Sequence, residues 1–153
     1  MKASIVIPSY RHLEDFLKPC LESIIKYTDL DDIEIICVLN GCGNDGSREY
    51  VESLPQQFKL IWVDEGIGYT KATNLGVSHS SGDVIILMNN DVVLLPQAKN
   101  QWIDYLLTPL KDQIGMTCNL KIWDWASEHD FGVFFLVATT RCIWDKLSIY
   151  EEI

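Results

Sequence analysis

Apolar, strand-like runs alternate with helix-like segments from the first residues of this chain, and that alternation restricts the folds it can adopt. Four short and mostly apolar runs are separated by polar loops and amphipathic segments: Ala3–Ile7, Ile33–Leu39, Phe58–Val63 and Asp83–Met88. Strands that alternate with helices form a mainly parallel sheet covered on both faces, and near-continuous apolar runs are typical of its buried strands. We therefore predict an α/β fold with helices on both faces of a mainly parallel central sheet.

Helical patterns occupy the segments between those strands. Three- and four-residue apolar spacing, or a polar capping residue, predicts helices over His12–Tyr27, Ser47–Leu54 (with Ser47 as its N-cap) and Tyr69–Ser80. After Met88 the pattern predicts, in order, a short strand Val92–Leu95, a helix from Pro96 to about Leu107, strands near Ile114–Cys118 and Val133–Val137, and a helix near Thr140–Leu147. The 153 residues contain no repeat or linker, so we expect a single domain.

The charge balance excludes one large class of function. Lys and Arg number 12 against 22 Asp and Glu, a formal net charge of −10, so the chain does not resemble a general binder of nucleic acid. An acidic protein that binds an anionic ligand usually needs a metal ion, a helix N-terminus or a few placed cations. The charge therefore raises the expectation of a cation cofactor.

The pattern of cysteines and the hydropathy predict the cellular location of the protein. Its five cysteines form no C-x-x-C pair, which argues against a disulfide framework or structural zinc. Four of them lie among apolar residues, as core residues do: Cys20, Cys37, Cys118 and Cys142. No basic, signal-type leader precedes the first strand, and Phe131–Ala138 is shorter than the ~20 residues of a membrane span. We expect a cytoplasmic protein without a membrane span.

Four polar or glycine-rich loops follow the four predicted strands. They are Pro8–Arg11, Asn40–Gly46, Asp64–Gly68 and Asn89–Asp91. In a parallel sheet the carboxyl ends of the strands lie at one edge, and ligands of α/β proteins bind there. The sequence therefore predicts that these loops converge on a ligand site.

The triplet Asn89-Asn90-Asp91 is the strongest candidate for metal binding. Asparagine is depleted in strands, yet two asparagines and an aspartate directly follow the apolar run DVIILM. Carboxylate and amide oxygens suit Mg²⁺ or Mn²⁺, which can bridge two phosphates. In isolation, a polar turn that ends a strand is the commoner explanation of such a triplet. Together with the other three loops, it favours a metal at Asp91.

The first two loops carry candidates for nucleotide binding. Tyr10 can stack on a nucleobase, and Ser9 can donate a hydrogen bond to the base or its ribose. Asn40 can recognise a base edge through its amide, and it can equally be a turn-forming residue. Arg11 is either attracted to phosphate or a solvated residue at a helix start.

The third loop leads into a helix that can receive phosphate. Gly66 and Gly68 permit close backbone approach, Lys71 is a candidate phosphate neutraliser, and Asn74 is a candidate brace between loops. The segment is not a Walker A loop, because no G-K-[ST] occurs. No G-x-G-x-x-G follows the first strand, which counts against a dinucleotide oxidoreductase.

In order and spacing, these segments resemble the family 2 glycosyltransferases of the GT-A fold. The matching stretches are SIVIPSYR, the helix containing CLES, IEIICVLNGCGNDGS, GYTKATNLGV and SGDVIILMNNDV, which together cover residues 3–97. The resemblance implies an inverting, metal-dependent transferase that binds a nucleotide-diphospho-sugar, a UDP-sugar by default, and an acceptor that the sequence does not identify. It also implies a nucleotide-binding part over about residues 1–97 and an acceptor-side part over about residues 98–153.

The resemblance also assigns roles to individual residues. Pro8, Ser9 and Tyr10 are expected to contact the base and ribose, and Asn40 stands where the family commonly has an aspartate that recognises the base. Asn89-Asn90-Asp91 occupies the family's D-x-D position, whose last aspartate binds Mn²⁺ or Mg²⁺.

The general base is the least defined part of the resemblance. Family members typically have an acidic motif after an apolar segment like FGVFFLVATTRCIWDKLSIYEE, and here the sequence ends as that motif is approached. Glu151, Glu152 and Asp130 are the candidate bases, and His129 is a candidate metal or phosphate contact, although a solvent-facing histidine is the commoner case. We therefore expect weak donor hydrolysis. A non-catalytic nucleotide-sugar binding module, or part of a larger assembly, is the alternative.

Overall fold

The predicted strands assemble into one sheet in the computed structural model, which describes residues 2–110, 115–118 and 136–147. Within these ranges the sheet has six strands: β1 Ala3–Ser9, β2 Ile33–Asn40, β3 Phe58–Val63, β4 Val84–Met88, β5 Met116–Cys118 and β6 Leu136–Thr140. Their order across the sheet is β3-β2-β1-β4-β6-β5. The α/β class and the six strand positions agree with the sequence pattern to within a few residues.

Parallel pairing joins the first four strands. β1 pairs with β2 on one side and with β4 on the other, and β2 pairs with β3, all in parallel register. β6 runs antiparallel to both β4 and β5. The carboxyl ends of β1, β2, β3 and β4 therefore lie at the same edge, which confirms the prediction of a mainly parallel sheet.

The core has two layers because side chains alternate between the faces of each strand. On one face, Ile5 and Ile7 of β1 join a cluster that includes Leu21 and Trp102. On the other face, Val6 joins a smaller cluster that includes Ala72. Helices thus cover both faces, as predicted for buried parallel strands.

Helices lie between and after the strands, where the sequence pattern predicts them, although two of them begin later than predicted. The helices are α1 Lys18–Tyr27, α2 Ser47–Glu52, α3 Tyr69–Ser78, α4 Gln101–Leu110 and α5 Arg141–Leu147. The predicted helix His12–Tyr27 is divided, because a π-helical turn, Leu13–Leu17, precedes α1. Pro19 lies at the start of α1, where it lacks the N–H of a regular helical bond and its ring disfavours a regular α-turn before it, which explains the wider turn.

Two predicted features are wrong for local reasons. Val92–Leu95 is irregular rather than a strand, since β4 already has β1 and β6 as neighbours and the Leu94 N–H donates instead to Ser23 Oγ at 3.0 Å. Ser47 is the first residue of α2 rather than its cap. Gly46 is the cap, in the left-handed region, and the Asp45 carboxylate accepts the Ser47 N–H at 3.0 Å.

The predicted helix from Pro96 begins five positions later, at Gln101. Asn100 adopts a left-handed conformation with φ 67° and is attached to the end of α1: its N–H donates to the Tyr27 carbonyl at 2.8 Å. Its side-chain oxygen accepts the Asp29 N–H at 2.7 Å. This connection fixes a non-helical segment where the sequence pattern predicts a helical turn.

The sequence also predicts which cysteines are buried and that the chain has no membrane span. Cys20, Cys37 and Cys42 are buried, whereas Cys142 is exposed, so its predicted place in the core is wrong. Across the described ranges, every helix is too short or too polar to cross a bilayer.

A buried carboxylate holds together the opposite, amino-terminal edge of the sheet. Glu34, at the start of β2, accepts hydrogen bonds from Ser4 Oγ of β1 at 2.6 Å, from the Ser81 N–H and from Lys59 Nζ of β3. Burial acts to raise the pKa of the Glu34 carboxyl, but these bonds outweigh it and lower that pKa from its ordinary 4.5 to about 2. One carboxylate thus connects β1, β2, β3 and the loop before β4.

Replacing this carboxylate should make stability less dependent on pH. Glu34→Gln is expected to lower the free energy of unfolding at pH 7 by about 1–3 kcal/mol, because charge-assisted bonds are lost from a buried position. The folded pKa is depressed, so the wild type keeps the contribution above about pH 4.5 and loses it as the pH falls towards about 2. Urea unfolding of both proteins at pH 7 and at about pH 3 measures the difference.

Glu52→Gln is the matched control, because Glu52 pairs with Arg48 at 3.0 Å on the exposed surface of α2. It should change the free energy of unfolding by less than about 0.5 kcal/mol. A Glu34→Gln deficit that is the same at both pH values would contradict the proposed role of Glu34.

Candidate functional site

An open cavity of about 630 Å³, here named the strand-end cavity, lies at the carboxyl edge of the sheet. All four predicted loops contribute to it: its lining residues are Pro8, Ser9, Tyr10, His12, Phe16, Asn40, Gly66, Gly68, Tyr69, Asn89, Asn90 and Asp91. The predicted convergence of the loops is therefore present, and it follows directly from the parallel order of β1 to β4.

In the triplet after β4, the two asparagines are hydrogen-bonded to neighbouring segments and the aspartate is exposed. Asn90 Nδ2 donates to Ser9 Oγ at 2.9 Å, and the Tyr69 hydroxyl donates to Asn89 Oδ1 at 3.2 Å. Asp91 is exposed, and within the described ranges its carboxylate has no hydrogen bond or ion pair. The two asparagines hold the loops together, and Asp91 remains available to a ligand.

The surroundings of Asp91 suit a cation that is shared with an anionic ligand. No group of three His, Cys, Asp or Glu side chains that could hold a metal is found in the described part of the chain. Mg²⁺ in proteins is often held by one or two carboxylates together with substrate phosphates, and a lone exposed carboxylate fits that pattern. Burial, with a smaller contribution from the Asp91 charge, raises the pKa of nearby Cys20 to about 12, so this thiol stays neutral.

Asn40 uses its side chain to join two loops. Its Oδ1 accepts the Ile67 N–H at 2.8 Å, and its Nδ2 makes a longer bond of 3.4 Å to the Gly68 carbonyl. The residue is buried at the end of β2 and lines the strand-end cavity. Its predicted recognition of a base stays a prediction, and its bracing of the loop after β3 is an additional role.

Tyr10 lies beside this brace with its ring open to solvent. The side chain is 54% exposed. Gly66 lies against one side of the ring, since a Cβ there would be 3.6 Å from Tyr10 Cε2. The Arg11 guanidinium lies 5.1 Å from the ring centroid. An exposed ring at the cavity wall is available for stacking on a base.

Several predicted residues lie away from the cavity lining. Arg11 contacts Tyr10 instead, Lys71 is exposed on the first turn of α3, and Asn74 is half-buried on the same helix. The candidate bases Asp130, Glu151 and Glu152 and the candidate metal contact His129 lie outside the described residues. Their roles stay predictions.

Three lining residues were missed by sequence reasoning: His12, Phe16 and Tyr69. Tyr69 could have been found, because it directly follows Gly66-Ile67-Gly68 at the start of a helix that faces the site. His12 and Phe16 were assigned to an ordinary amphipathic helix. Phe16 lies in the π-helical turn, and His12 precedes that turn in a left-handed conformation. The sequence pattern records neither feature.

A second cavity of about 650 Å³, here named the adjoining cavity, shares Asn89 and Asp91 with the strand-end cavity. Its other described lining residues are Val92, Val93, Leu94, Leu95, Gln97, Trp102, Tyr105, Leu106, Cys118 and Leu136. Asp91 therefore stands at the junction of the two cavities. That arrangement allows two ligands to meet beside one carboxylate.

Comparison with known proteins identifies the family. Residues 4–137 match the model of glycosyl transferase family 2. The chain belongs to glycosyl transferase family 2. Among relatives in this family, it is 25% identical to Glycosyltransferase GlyA of Streptococcus pneumoniae, covering 99% of this chain and 21% of that protein. It is 28% identical to the poly(ribitol-phosphate) beta-glucosyltransferase of Bacillus spizizenii, covering 69% of this chain and 17% of that protein.

Solved structures agree on the fold. S. aureus TarS 1–349 superposes with a TM-score of 0.75 at 15% identity, covering 98% of this chain and 50% of that chain. The mannosyltransferase PcManGT from Pyrobaculum calidifontis, in complex with GDP-Man and Mn²⁺, has a TM-score of 0.74 at 20% identity, covering 95% and 46%. The predicted GT-A type fold is therefore confirmed. The chain spans from about a fifth to a half of the length of these similar proteins.

The close approach of two loops at the strand-end cavity can be tested with glycine substitutions. Gly41 has φ +80°, and a Cβ built on it would lie 2.7 Å from the backbone nitrogen of Gly66. Gly41→Ala is therefore expected to lower the free energy of unfolding by about 2–4 kcal/mol, through left-handed strain plus the clash. Urea unfolding measures this loss.

Gly43→Ala separates the two causes. Gly43 also has a positive φ, +64°, but a Cβ there would meet nothing within 4 Å. Gly43→Ala should lower the free energy of unfolding only by the cost of the left-handed conformation, about 1–2 kcal/mol. Equal losses in the two variants would show that the Gly41–Gly66 approach does not constrain the loops.

Proposed function

We propose that this chain binds a nucleotide-diphospho-sugar in the strand-end cavity, with its diphosphate held at Asp91 through Mn²⁺ or Mg²⁺, and transfers the sugar to an acceptor hydroxyl. One observation carries the proposal: an exposed carboxylate, without a hydrogen bond or ion pair among the described residues, stands where two cavities meet. Membership of glycosyl transferase family 2 supports the reaction class.

Electrostatics support a cation in this site. Among the described residues that line the strand-end cavity, none is Lys or Arg, and Asp91 adds a negative charge. A diphosphate placed here directly would meet repulsion from Asp91, and none of these described lining residues carries a lysine or arginine charge to offset it. A divalent cation reverses the sign of that interaction, and when bound it supplies stabilisation of the negative charge that develops on the leaving diphosphate.

The two ends of the donor are assigned by the chemistry of the lining. Tyr10, Ser9 and Pro8 lie at the end of β1 with Asn40 beside them, which suits the base and ribose. Asp91 lies at the end of β4, which suits the diphosphate. Uridine is the proposed base, and similar structures in complex with UDP-GlcNAc and with GDP-Man show that this fold accommodates both types of nucleotide.

The adjoining cavity is the proposed acceptor side. It meets the strand-end cavity at Asp91 and Asn89, where the anomeric carbon of a donor would lie. Inverting transfer requires a base that removes the acceptor proton, and Asp130, Glu151 and Glu152 remain the candidates for this role. Residues from about 98 onwards are proposed to complete this side, next to the segment from Val92 to Gln97 that also lines the adjoining cavity. The nucleotide-binding side is proposed to come from the residues before about 98. We also propose that the protein functions in a reducing cytoplasm. A further proposal is that it hydrolyses its donor weakly.

Removing the Asp91 carboxylate should abolish metal-dependent binding. Asp91→Asn keeps the shape of the side chain but loses the charge, so the affinity for UDP in Mn²⁺ should fall by about tenfold or more, towards the affinity without metal. Titration calorimetry of UDP with and without Mn²⁺ measures this, and release of free UDP from a panel of UDP-sugars measures turnover.

Asp32→Asn is the control, because Asp32 is an exposed aspartate in the turn before β2, at the opposite edge of the sheet. It should bind UDP and Mn²⁺ as the wild type does. Manganese-independent UDP binding by the wild type would refute the metal role of Asp91. Tight binding without any turnover would favour the non-catalytic module.

Tyr10 should contribute to binding through its ring alone. Tyr10→Ala is expected to weaken UDP binding by about 1–3 kcal/mol if the ring stacks on the base, and Tyr10→Phe should retain most of the affinity. Calorimetry of both variants separates stacking from hydrogen bonding by the hydroxyl. An unchanged dissociation constant for Tyr10→Ala would remove this residue from the site.

A further inference from the structure

The backbone on both sides of Tyr10 is bonded to one side chain from another loop. Cys42, which follows β2, donates its S–H to the Ser9 carbonyl at 3.4 Å. The same sulfur accepts the Arg11 N–H at 3.3 Å. A thiol is a weak donor and a weak acceptor, but it uses both capacities here. Cys42 is only 3% exposed, so these bonds do not compete with water.

The turn that Cys42 holds is conformationally unfavourable. Arg11 and His12 both have positive φ values, 56° and 61°, although neither is glycine. A non-glycine residue in the left-handed region costs roughly 1–2 kcal/mol, and such conformations persist only where surrounding contacts enforce them. The sulfur bond to the Arg11 N–H is one of the contacts that enforces this turn.

The direction of the Tyr10 ring depends on this backbone. The ring is more than half exposed, so packing around it is incomplete. The two bonds from Cys42 fix the residues before and after it, and the Ser9 side chain is fixed separately by Asn90. The backbone of an exposed aromatic side chain is thus attached to the loop after β2 as well as to its own strand.

We propose that Cys42 is a positioning residue for the nucleoside half of the donor, acting through Tyr10. This inference rests on the proposed function, since it requires a base to stack on that ring. Cys42 does not touch the donor; its thiol sets the direction in which Tyr10 presents its face. Burial raises the pKa of the Cys42 thiol, which keeps the proton that it donates to Ser9.

The role predicts a selective loss of binding. In the full chain with Mn²⁺, Cys42→Ala should weaken UDP by about fivefold, as expected for losing correct placement of one stacking contact, and should leave inorganic pyrophosphate within about twofold of wild type. Cys42→Ser, which has a hydroxyl that can donate and accept, should recover most of the UDP affinity. If Cys42→Ala does not fold, Cys42→Val fills the same space without a hydrogen-bonding group.

A double-mutant cycle tests whether Cys42 acts through Tyr10. Once Tyr10→Ala has removed the ring, adding Cys42→Ala should weaken UDP binding by less than about twofold more, because the two changes remove the same contact. Cys37→Ala is the control: Cys37 is fully buried in β2, so its loss should lower stability without changing the ratio of UDP to pyrophosphate affinity.

Three outcomes would overturn the proposal: equal weakening of UDP and pyrophosphate, additive effects in the cycle, or a Cys42→Ser variant as weak as Cys42→Ala. A wild type that binds pyrophosphate but not UDP would instead overturn the proposed function. Hydrogen exchange of the Arg11 amide, measured without ligand, distinguishes failure of the Cys42 proposal from failure of the proposed function. It should be faster in Cys42→Ala and close to wild type in Cys42→Ser if the thiol holds the turn.

Discussion

β1 pairs in parallel with a strand on each side, and the positions of Tyr10, Asn40 and Asp91 depend on this double pairing. Ile5 has Ile35 of β2 as one register partner and Ile86 of β4 as the other, and all three side chains are fully buried. Burying side chains of this size contributes roughly 1.5–3 kcal/mol each, so the register is well specified. The strands consequently end together, and the loops after β1 and β4 become neighbours although about 80 residues separate them.

Because the loops are neighbours, several polar side chains of the site bond to other loops and are not available to a ligand. Asn40 joins the loops after β2 and β3, Asn90 joins those after β4 and β1, and Asn89 accepts a bond from Tyr69 of α3. Amide side chains suit this role because each both donates and accepts. A site held by such bonds is preorganised, so that ligand binding does not have to order the loops. Asp91 is outside this network, which leaves its charge for the ligand.

Sequence patterns predicted the strands well because buried parallel strands are nearly continuous apolar runs, and the convergence of the loops follows from parallel order alone. The segment Val92–Leu95 looks equally strand-like, but its pattern does not record that both edges of β4 are occupied or that Ser23 of α1 accepts the Leu94 N–H. The start of α4 was missed for a similar reason, since Asn100 is bonded to α1. In both cases a tertiary contact outweighed a local preference. The side-chain partners of Asn40 and Cys42 were likewise beyond sequence reasoning, because they lie on other loops.

The two edges of the sheet use carboxylates in opposite ways. At the amino edge, Glu34 is buried and satisfied by lysine and hydroxyl partners, and its lowered pKa shows that folding itself provides the compensating interactions. At the carboxyl edge, Asp91 is exposed and unpaired among the described residues. An ion pair at Asp91 would add little stability, since exposed pairs contribute about 0–1 kcal/mol, yet a lysine or arginine there would compete with a metal for the same oxygens. Leaving Asp91 without a cationic partner among the described residues therefore costs the fold little and keeps its oxygens available for the metal that we propose.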